Sequence, residues 1–313
     1  MQAVTSRADP RNAQDFGRAH SLLLWVQFDG SAFSGFQRQQ GEIRSVAGTL
    51  EHTWLDLFSE EIWARSSSRT DAGVHARRMP VLVRTNRNVG PRGAMLALNT
   101  RLPDDLKVTE AEEVAQDADI RADAVGKRYL YHVLEGPVRL PLWRLRAWHV
   151  RGPLDLAKMQ EGAAVLRGVH DFSAFRSQHC GSATTLRDLH VVSVAEVIRE
   201  GEGRVLQIAV DGNAFLHNMV RIIAGTLVDL GRNRRQLADL QRALGQGDRR
   251  ASGQTAPPHG LQLDDVYFGP WGQRLGTDYK SILLHMDADR AARAALAIDP
   301  GLTVADGDAS AAC

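Results

Sequence analysis

The sequence predicts an α+β fold in two halves of comparable size, and three observations carry that reading. Between residues 21 and 114, short apolar runs closed by Gly, Asp or Asn alternate with stretches of helical period. A second list of the same kind runs from residue 128 to residue 268. The 313 residues are 43% hydrophobic and 24% charged, the balance of a soluble chain that buries its own core without staples.

Residues 21–28, SLLLWVQF, form an apolar run closed by Asp29-Gly30 and read as a buried strand. Residues 46–58 place Leu50, Trp54, Leu57 and Phe58 at helical spacing, with Ser45 in the N-cap position. Residues 79–85 are a short apolar strand. Residues 91–99 suit a helix with Pro91 in its first turn, and residues 105–114 a further strand. With the strand-like stretch ahead of residue 66, the order is β-α-β-β-α-β, that of one ferredoxin-like unit.

In the second list, residues 128–134, RYLYHVL, alternate like a strand, and residues 155–166 read as a helix. Two strands, 189–198 and 204–211, flank the turn Glu200-Gly201-Glu202-Gly203. Residues 215–230 carry Leu216, Met219, Val220, Ile223, Leu227 and Leu230 on one stripe, which predicts a long amphipathic helix. Residues 261–268 close with a strand. The expected division is a disordered extension at 1–20, an N-terminal half at 21–120, a C-terminal half at 121–286 and a flexible tail at 287–313, with a short helix near 290–298. No internal repeat is visible at residue level.

The two cysteines, Cys180 and Cys313, exclude a disulfide framework or a Cys-rich zinc module and fit a reducing compartment. No apolar run approaches the roughly 20 residues that span a bilayer. Residues 1–20 lack the apolar centre of a signal peptide. A cytoplasmic protein without a membrane segment is expected. The net charge is +1, but the tail from Asp287 carries −3, which leaves +4 on the rest. Arginine dominates the cations and suits phosphate, although GC-rich coding produces the same bias.

Residues 66–78, SSSRTDAGVHARR, are the richest in chemistry. They set the carboxylate of Asp71 among Arg69, Arg77 and Arg78, next to Gly73. An ordinary aspartate is ionised at neutral pH, and such a group is a nucleophile or a base. A capped turn in which Asp71 bonds local N–H groups explains the spacing more simply. His75, His170, His179 and His217 show no metal-ligand spacing, so no zinc site is expected.

RTDAGVHA, residues 69–76, resembles the signature of the tRNA pseudouridine synthase A family. Further segments follow in the family's order. Phe28-Asp29-Gly30-Ser31 with Gly35-Phe36-Gln37-Arg38-Gln39 is similar to its opening, and RADAVGKRYLY at 121–131 and DFSAFR at 171–176 resemble its middle. NAFLHNMVRIIAG at 213–225 resembles its helix, and APPHGLQL at 256–263 its ending. Ser68, Ala122, Asp123, Phe36 and Pro258 depart from the family pattern.

The resemblance implies two ferredoxin-like (RRM-like) halves whose sheets join across a central catalytic cleft. It implies an isomerase that acts without a cofactor or metal on uridines 38, 39 and 40 of the tRNA anticodon stem-loop, as a homodimer. The family's catalytic aspartate falls on Asp71, and its neighbouring arginine on Arg69, which would pair with Asp71 and fill the space left by a flipped base. Its active-site tyrosine falls on Tyr129, which without the family reads as a core aromatic alternating with Tyr131. Leu261 matches an apolar residue under the base, or is simply core. Arg221, alone on an apolar helix, either snorkels or reaches a pocket to hold Asp71 or a phosphate. Arg232, Arg234, Arg235, Arg249 and Arg250 are candidate phosphate contacts or an ordinary solvated face. Two other readings stay open: a synthase acting on a different RNA, and a non-catalytic RNA-binding protein on the same scaffold.

Overall fold

The structure, a computed structural model, describes residues 17–39, 43–178, 180–201 and 203–268. Most of the expected extension and tail, the helix expected near 290–298, His179 and Cys313 lie outside the described residues. So does Glu202 of the expected turn.

The described chain is a mixed α/β fold built on one large sheet. Its strands are β1 (His20–Phe28), β2 (Arg65–Ser66), β3 (His75–Thr85), β4 (Leu106–Glu113), β5 (Ala124–Glu135), β6 (Trp148–Val150), β7 (Gly168–Asp171), β8 (Leu186–Glu200), β9 (Gly203–Gly212) and β10 (Leu261–Phe268). Its helices are α1 (Val46–Phe58), α2 (Pro91–Arg101), α3 (Leu156–Val165), α4 (Met219–Gly231) and α5 (Leu237–Gln246). The sheet order is β4-β1-β3-β10-β5-β9-β8-β7, with β2 also on β3 and β6 also on β5. β1 pairs antiparallel with both β3 and β4, and β2 antiparallel with β3. β5, β9, β8 and β7 are likewise antiparallel to their neighbours in that series. β10 joins β3 in parallel through Gln262↔His75 and Leu263↔Ala76. Among the described residues no helix is long and apolar enough to cross a membrane.

Local chemistry accounts for the helix ends. Ser45 Oγ accepts the Gly48 N–H at 3.2 Å and starts α1. Asp155 accepts from Lys158 N at 3.1 Å and starts α3. α5 opens with a capping box between Gln236 and Asp239, the Gln236 N–H donating to Asp239 Oδ2 at 2.9 Å. α4 buries Met219, Val220, Ile222, Ile223, Leu227, Val228 and Leu230. Each such side chain contributes about 1.5–3 kcal/mol relative to exposure, so this helix anchors its surroundings. A side chain at Gly162 on α3 would stand 2.4 Å from Leu230 and 3.1 Å from Leu227, so the two helices meet through that glycine.

The helix expected at 215–230 starts four residues late, at Met219. Asn218 takes the left-handed conformation, φ 64°, and Met219 N–H bonds back to Leu216 O at 3.0 Å. Residues 213–218 are therefore a turn, and the apolar stripe continues through it only as a pattern. β3 starts four residues earlier than expected, at His75. Its first turn of charge is neutralised across the sheet, with Arg77 on Asp264 at 2.6 Å and Arg78 on Asp265 at 3.2 Å. Arg78 also stacks 3.5 Å over Trp25.

Candidate active site

The loop between β2 and β3 carries Arg69 and Asp71, and two glycines let the chain pack beneath it. A Cβ on Gly30 would lie 1.9 Å from the Val74 carbonyl oxygen. Gly35 has φ 96°, and a Cβ there would lie 2.7 Å from the Thr70 carbonyl. The close approach allows Phe36 N–H to donate to Thr70 O at 3.1 Å and Gly73 N–H to Phe33 O at 3.2 Å. These bonds explain why the Asp-Gly and Gly-Phe motifs precede the loop in sequence.

His75 secures the far end. Gly30 N–H donates to its Nδ1 at 3.0 Å, so Nδ1 is the acceptor, and Nε2–H donates to His259 O at 3.1 Å. That second bond holds the segment leading into Leu261. Tyr131 O–H donates to Pro257 O at 2.8 Å, and its ring lies against Gly260, where a Cβ would come within 2.6 Å. Pro258 packs on Gly73, 3.1 Å from where a Cβ would stand. That departure from the family pattern therefore packs directly against the loop that carries Asp71.

Asp71 is partly exposed, and its two oxygens have different partners. Arg221 Nη1 is 3.2 Å from Oδ2, and His217 Nε2 is 3.3 Å from Oδ1. Arg221 is itself fixed: Nε donates to Ala256 O at 2.7 Å, and Nη1 to Asn218 Oδ1 at 2.7 Å. His217 Nδ1 lies 2.7 Å from Ser177 Oγ. With Nε2–H directed at the carboxylate, Nδ1 accepts the serine O–H. The turn at 213–218 is what delivers His217 and Asn218 to this position.

Asp71, Arg69, Tyr129, Arg221 and Leu261, separated by up to 192 positions in the chain, line one cavity of about 560 Å³. Tyr129 is 9% exposed and Leu261 6%. Burial pushes the Tyr129 phenol up to about 12, with the Asp71 charge acting in the same direction. Tyr129 also meets Phe215 edge-on, with ring centroids 5.0 Å apart.

Two expectations change. The cation on Asp71 is Arg221, not Arg69. Arg69 is exposed and forms no ion pair or hydrogen bond among the described residues, because the loop turns its side chain along the cavity rim. The basic cluster is also partly committed elsewhere. Arg235 donates to Ala251 O at 2.9 Å, Arg249 to Ser252 Oγ and Gly253 O at 2.8 Å each, and Arg250 pairs with Asp248 at 3.3 Å. These contacts shape the loop after α5. His217, which spacing passed over except as a rejected metal ligand, is the second side chain on Asp71, four positions before Arg221.

Residues 163–269 match a family model described as tRNA pseudouridine synthase. That defines the class: an isomerase that converts uridine to pseudouridine. A tRNA pseudouridine synthase A from Geotalea daltonii is 40% identical over 248 residues, which are 79% of this chain and 99% of the relative. One from Pelobacter propionicus is 42% identical with the same coverage. The chain belongs to the tRNA pseudouridine synthase A family. A chain of an archaeal box H/ACA sRNP Nop10-Cbf5 complex aligns with 84% of this chain and 51% of its own length, at 12% identity and TM-score 0.28, too slight a likeness to argue from.

Proposed function

We propose that this protein isomerises uridines 38, 39 and 40 in the anticodon stem-loop of tRNA, with Asp71 starting the reaction. The observation that carries the reading is the carboxylate clamped through both oxygens in a cavity shared with Tyr129 and Leu261. The isomerisation breaks the bond from uracil N1 to ribose C1′ and forms one from C5 to C1′. C5 loses a proton and N1 gains one, so no outside electron or group donor is needed. Attack on the base, attack on the sugar and removal of a ribose proton all require a carboxylate beside the flipped nucleotide.

Arg221 and His217 fix that carboxylate, so its geometry is set before substrate arrives. Tyr129 presents an aromatic edge to the base, and Leu261 an apolar floor. A phenol pushed up to about 12 stays protonated at neutral pH. It therefore donates a hydrogen bond first, and moves the C5 proton after bond formation only by handing its own O–H proton to water in the same step. Arg69, without a partner among the described residues, is free to occupy the place the base vacates on flipping.

The scaffold belongs to the same proposal. The orders β4-β1-β3-β2 and β10-β5-β9-β8 each repeat the 4-1-3-2 arrangement of a ferredoxin-like unit, which supports two such halves meeting at the β3–β10 seam. We assign the halves to residues 21–120 and 121–286, with the segments outside them dispensable for chemistry. A cytoplasmic homodimer follows from the family, and exposed Val138, Leu142 and Leu145 supply apolar surface for such a contact. The test is incubation with unmodified tRNA followed by site-by-site mapping of pseudouridine. Modification confined to another RNA, or none with folded protein, removes the reading.

A further inference from the structure

Opposite Asp71, the cavity wall contains cations that nothing in the mechanism uses. Lys127 on β5 donates from Nζ to Ser67 O at 2.7 Å, and Arg121 Nε reaches Ser66 O at 3.4 Å. Two cationic heads thus bind consecutive carbonyls of the same short segment. Arg69 lies two residues further on, and all three side chains line the cavity.

No acid offsets them. Among the described residues, none of the three forms an ion pair. Of the acids nearest in sequence, Asp119 Oδ1 accepts the N–H groups of Arg121 and Ala122 at 2.9 and 3.2 Å, and Asp123 Oδ2 accepts that of Asp119 at 3.2 Å. Burial, with the Arg121 charge beside it, brings the Lys127 ammonium down to about 8. The same two causes, in the same order, lower Arg69. Ser67 Oγ and Thr70 Oγ1 on this loop are buried without a hydrogen-bond partner.

A half-buried ammonium, Lys127, held beside the Arg121 charge and flanked by unused hydroxyls is unfavourable in the empty protein. An anion removes that penalty. Cavity-lining Asp71, Tyr129 and Arg69 belong to the reacting nucleoside and the place its base vacates, which leaves Lys127 and Arg121 for what is attached to it. We infer that Lys127 and Arg121, held on the consecutive carbonyls of Ser67 and Ser66, form a subsite for one backbone phosphodiester next to the target uridine. The inference rests on the reading that RNA enters this cavity.

The test compares wild type with Lys127→Gln, Arg121→Gln and Lys127→Arg, using unmodified tRNA and anticodon stem-loop oligonucleotides. In the oligonucleotides a neutral methylphosphonate replaces the phosphate on either the 5′ or the 3′ side of the target uridine. Lys127→Gln should raise KM about tenfold, as expected for losing one charge-assisted hydrogen bond, with kcat within about threefold. The slope of log K against log salt should become shallower by about 0.7–0.9. Lys127→Arg should restore most of the affinity, and one methylphosphonate position should erase the difference between wild type and Lys127→Gln. A lower kcat with unchanged KM and unchanged salt slope would make Lys127 a strut for the Ser67 carbonyl and overturn the subsite. Wild-type turnover with no methylphosphonate effect at either position would overturn it while leaving the function intact. A wild type that binds tRNA without modifying it, yet loses salt dependence on Lys127→Gln, would sink the function and keep the subsite.

Discussion

The two sides of the cavity treat charge in opposite ways. On the α4 side every charged or polar head is paired: Arg221 with Asp71, Asn218 and the Ala256 carbonyl, and His217 between Asp71 and Ser177. On the β5 side Lys127, Arg121 and Arg69 share one wall without a carboxylate among the described residues. A buried charge is costly unless paired, so the first side has the chemistry of a finished structure and the second that of half an interaction. On the function proposed above, the difference separates residues that set the reacting geometry from residues that wait for the substrate.

The largest expected effect falls on the paired side. Asp71→Asn is nearly isosteric but cannot act as nucleophile or base. Turnover should drop by at least about 10³-fold, roughly 4 kcal/mol in the barrier, with tRNA affinity within about tenfold. Single-turnover kinetics beside a binding isotherm measure both. Pseudouridine formed by purified Asp71→Asn at a rate near wild type would erase the distinction between the two sides.

A second test uses a buried titratable group outside the cavity. His132 shares β5 with Lys127, and burial brings its imidazole down to about 4, with Gln207 donating to Nε2 at 3.0 Å. The unfolded chain takes up this proton below about pH 6.5 and the folded protein only near pH 4. Its contribution is therefore complete above pH 6.5 and lost as the pH falls to 4, roughly 3 kcal/mol in all. Denaturant titrations at pH 7.5 and 4.5 should show the loss in wild type and less of it in His132→Gln. An identical acid loss in both proteins would show that His132 is not a source of it.

Tyr129→Phe keeps the ring and removes the hydroxyl. If that oxygen moves the C5 proton, kcat should fall about 10²-fold, close to 2.7 kcal/mol, while KM holds. Tyr129→Leu should lose affinity as well. Equal turnover in wild type and Phe would reduce Tyr129 to packing.

The smallest effect belongs to His217. His217→Gln keeps an N–H donor near Asp71 Oδ1, and His217→Ala removes it. Ala should lose about tenfold in kcat, near 1.4 kcal/mol, and Gln about half of that on a logarithmic scale. If both lose only KM, His217 sits on the substrate-facing side of the comparison.

Much of the fold was legible because its signals are local. The apolar run of β1, the Ser45 cap of α1 and the run that forms β10 each follow from neighbours in sequence. β6 and β7 were missed because they are three and four residues long and exist only through their partners. α5 was passed over although Leu237, Leu240, Ala243 and Leu244 stand at helical spacing; of its residues only Leu240 and Ala243 are buried. In the site, the motif around Asp71 could be read directly. Arg221 could be read as a candidate to hold Asp71, but not that it rather than Arg69 is the cation there, since that rests on side chains 150 positions apart meeting in the fold.

The closing strand has a consequence for synthesis. β10 is the last described element of the chain, yet it lies in the middle of the sheet between β3 and β5. A nascent chain emerges from its N-terminus, so β3 and β5 leave the ribosome long before the strand that goes between them. Leu261, the anchoring carbonyl of His259 and the Ala256 carbonyl that fixes Arg221 all arrive with that final segment. A stalled or truncated product ending before it has the Asp71 loop but no cavity. Emergence of β10 is therefore also the step that assembles the site.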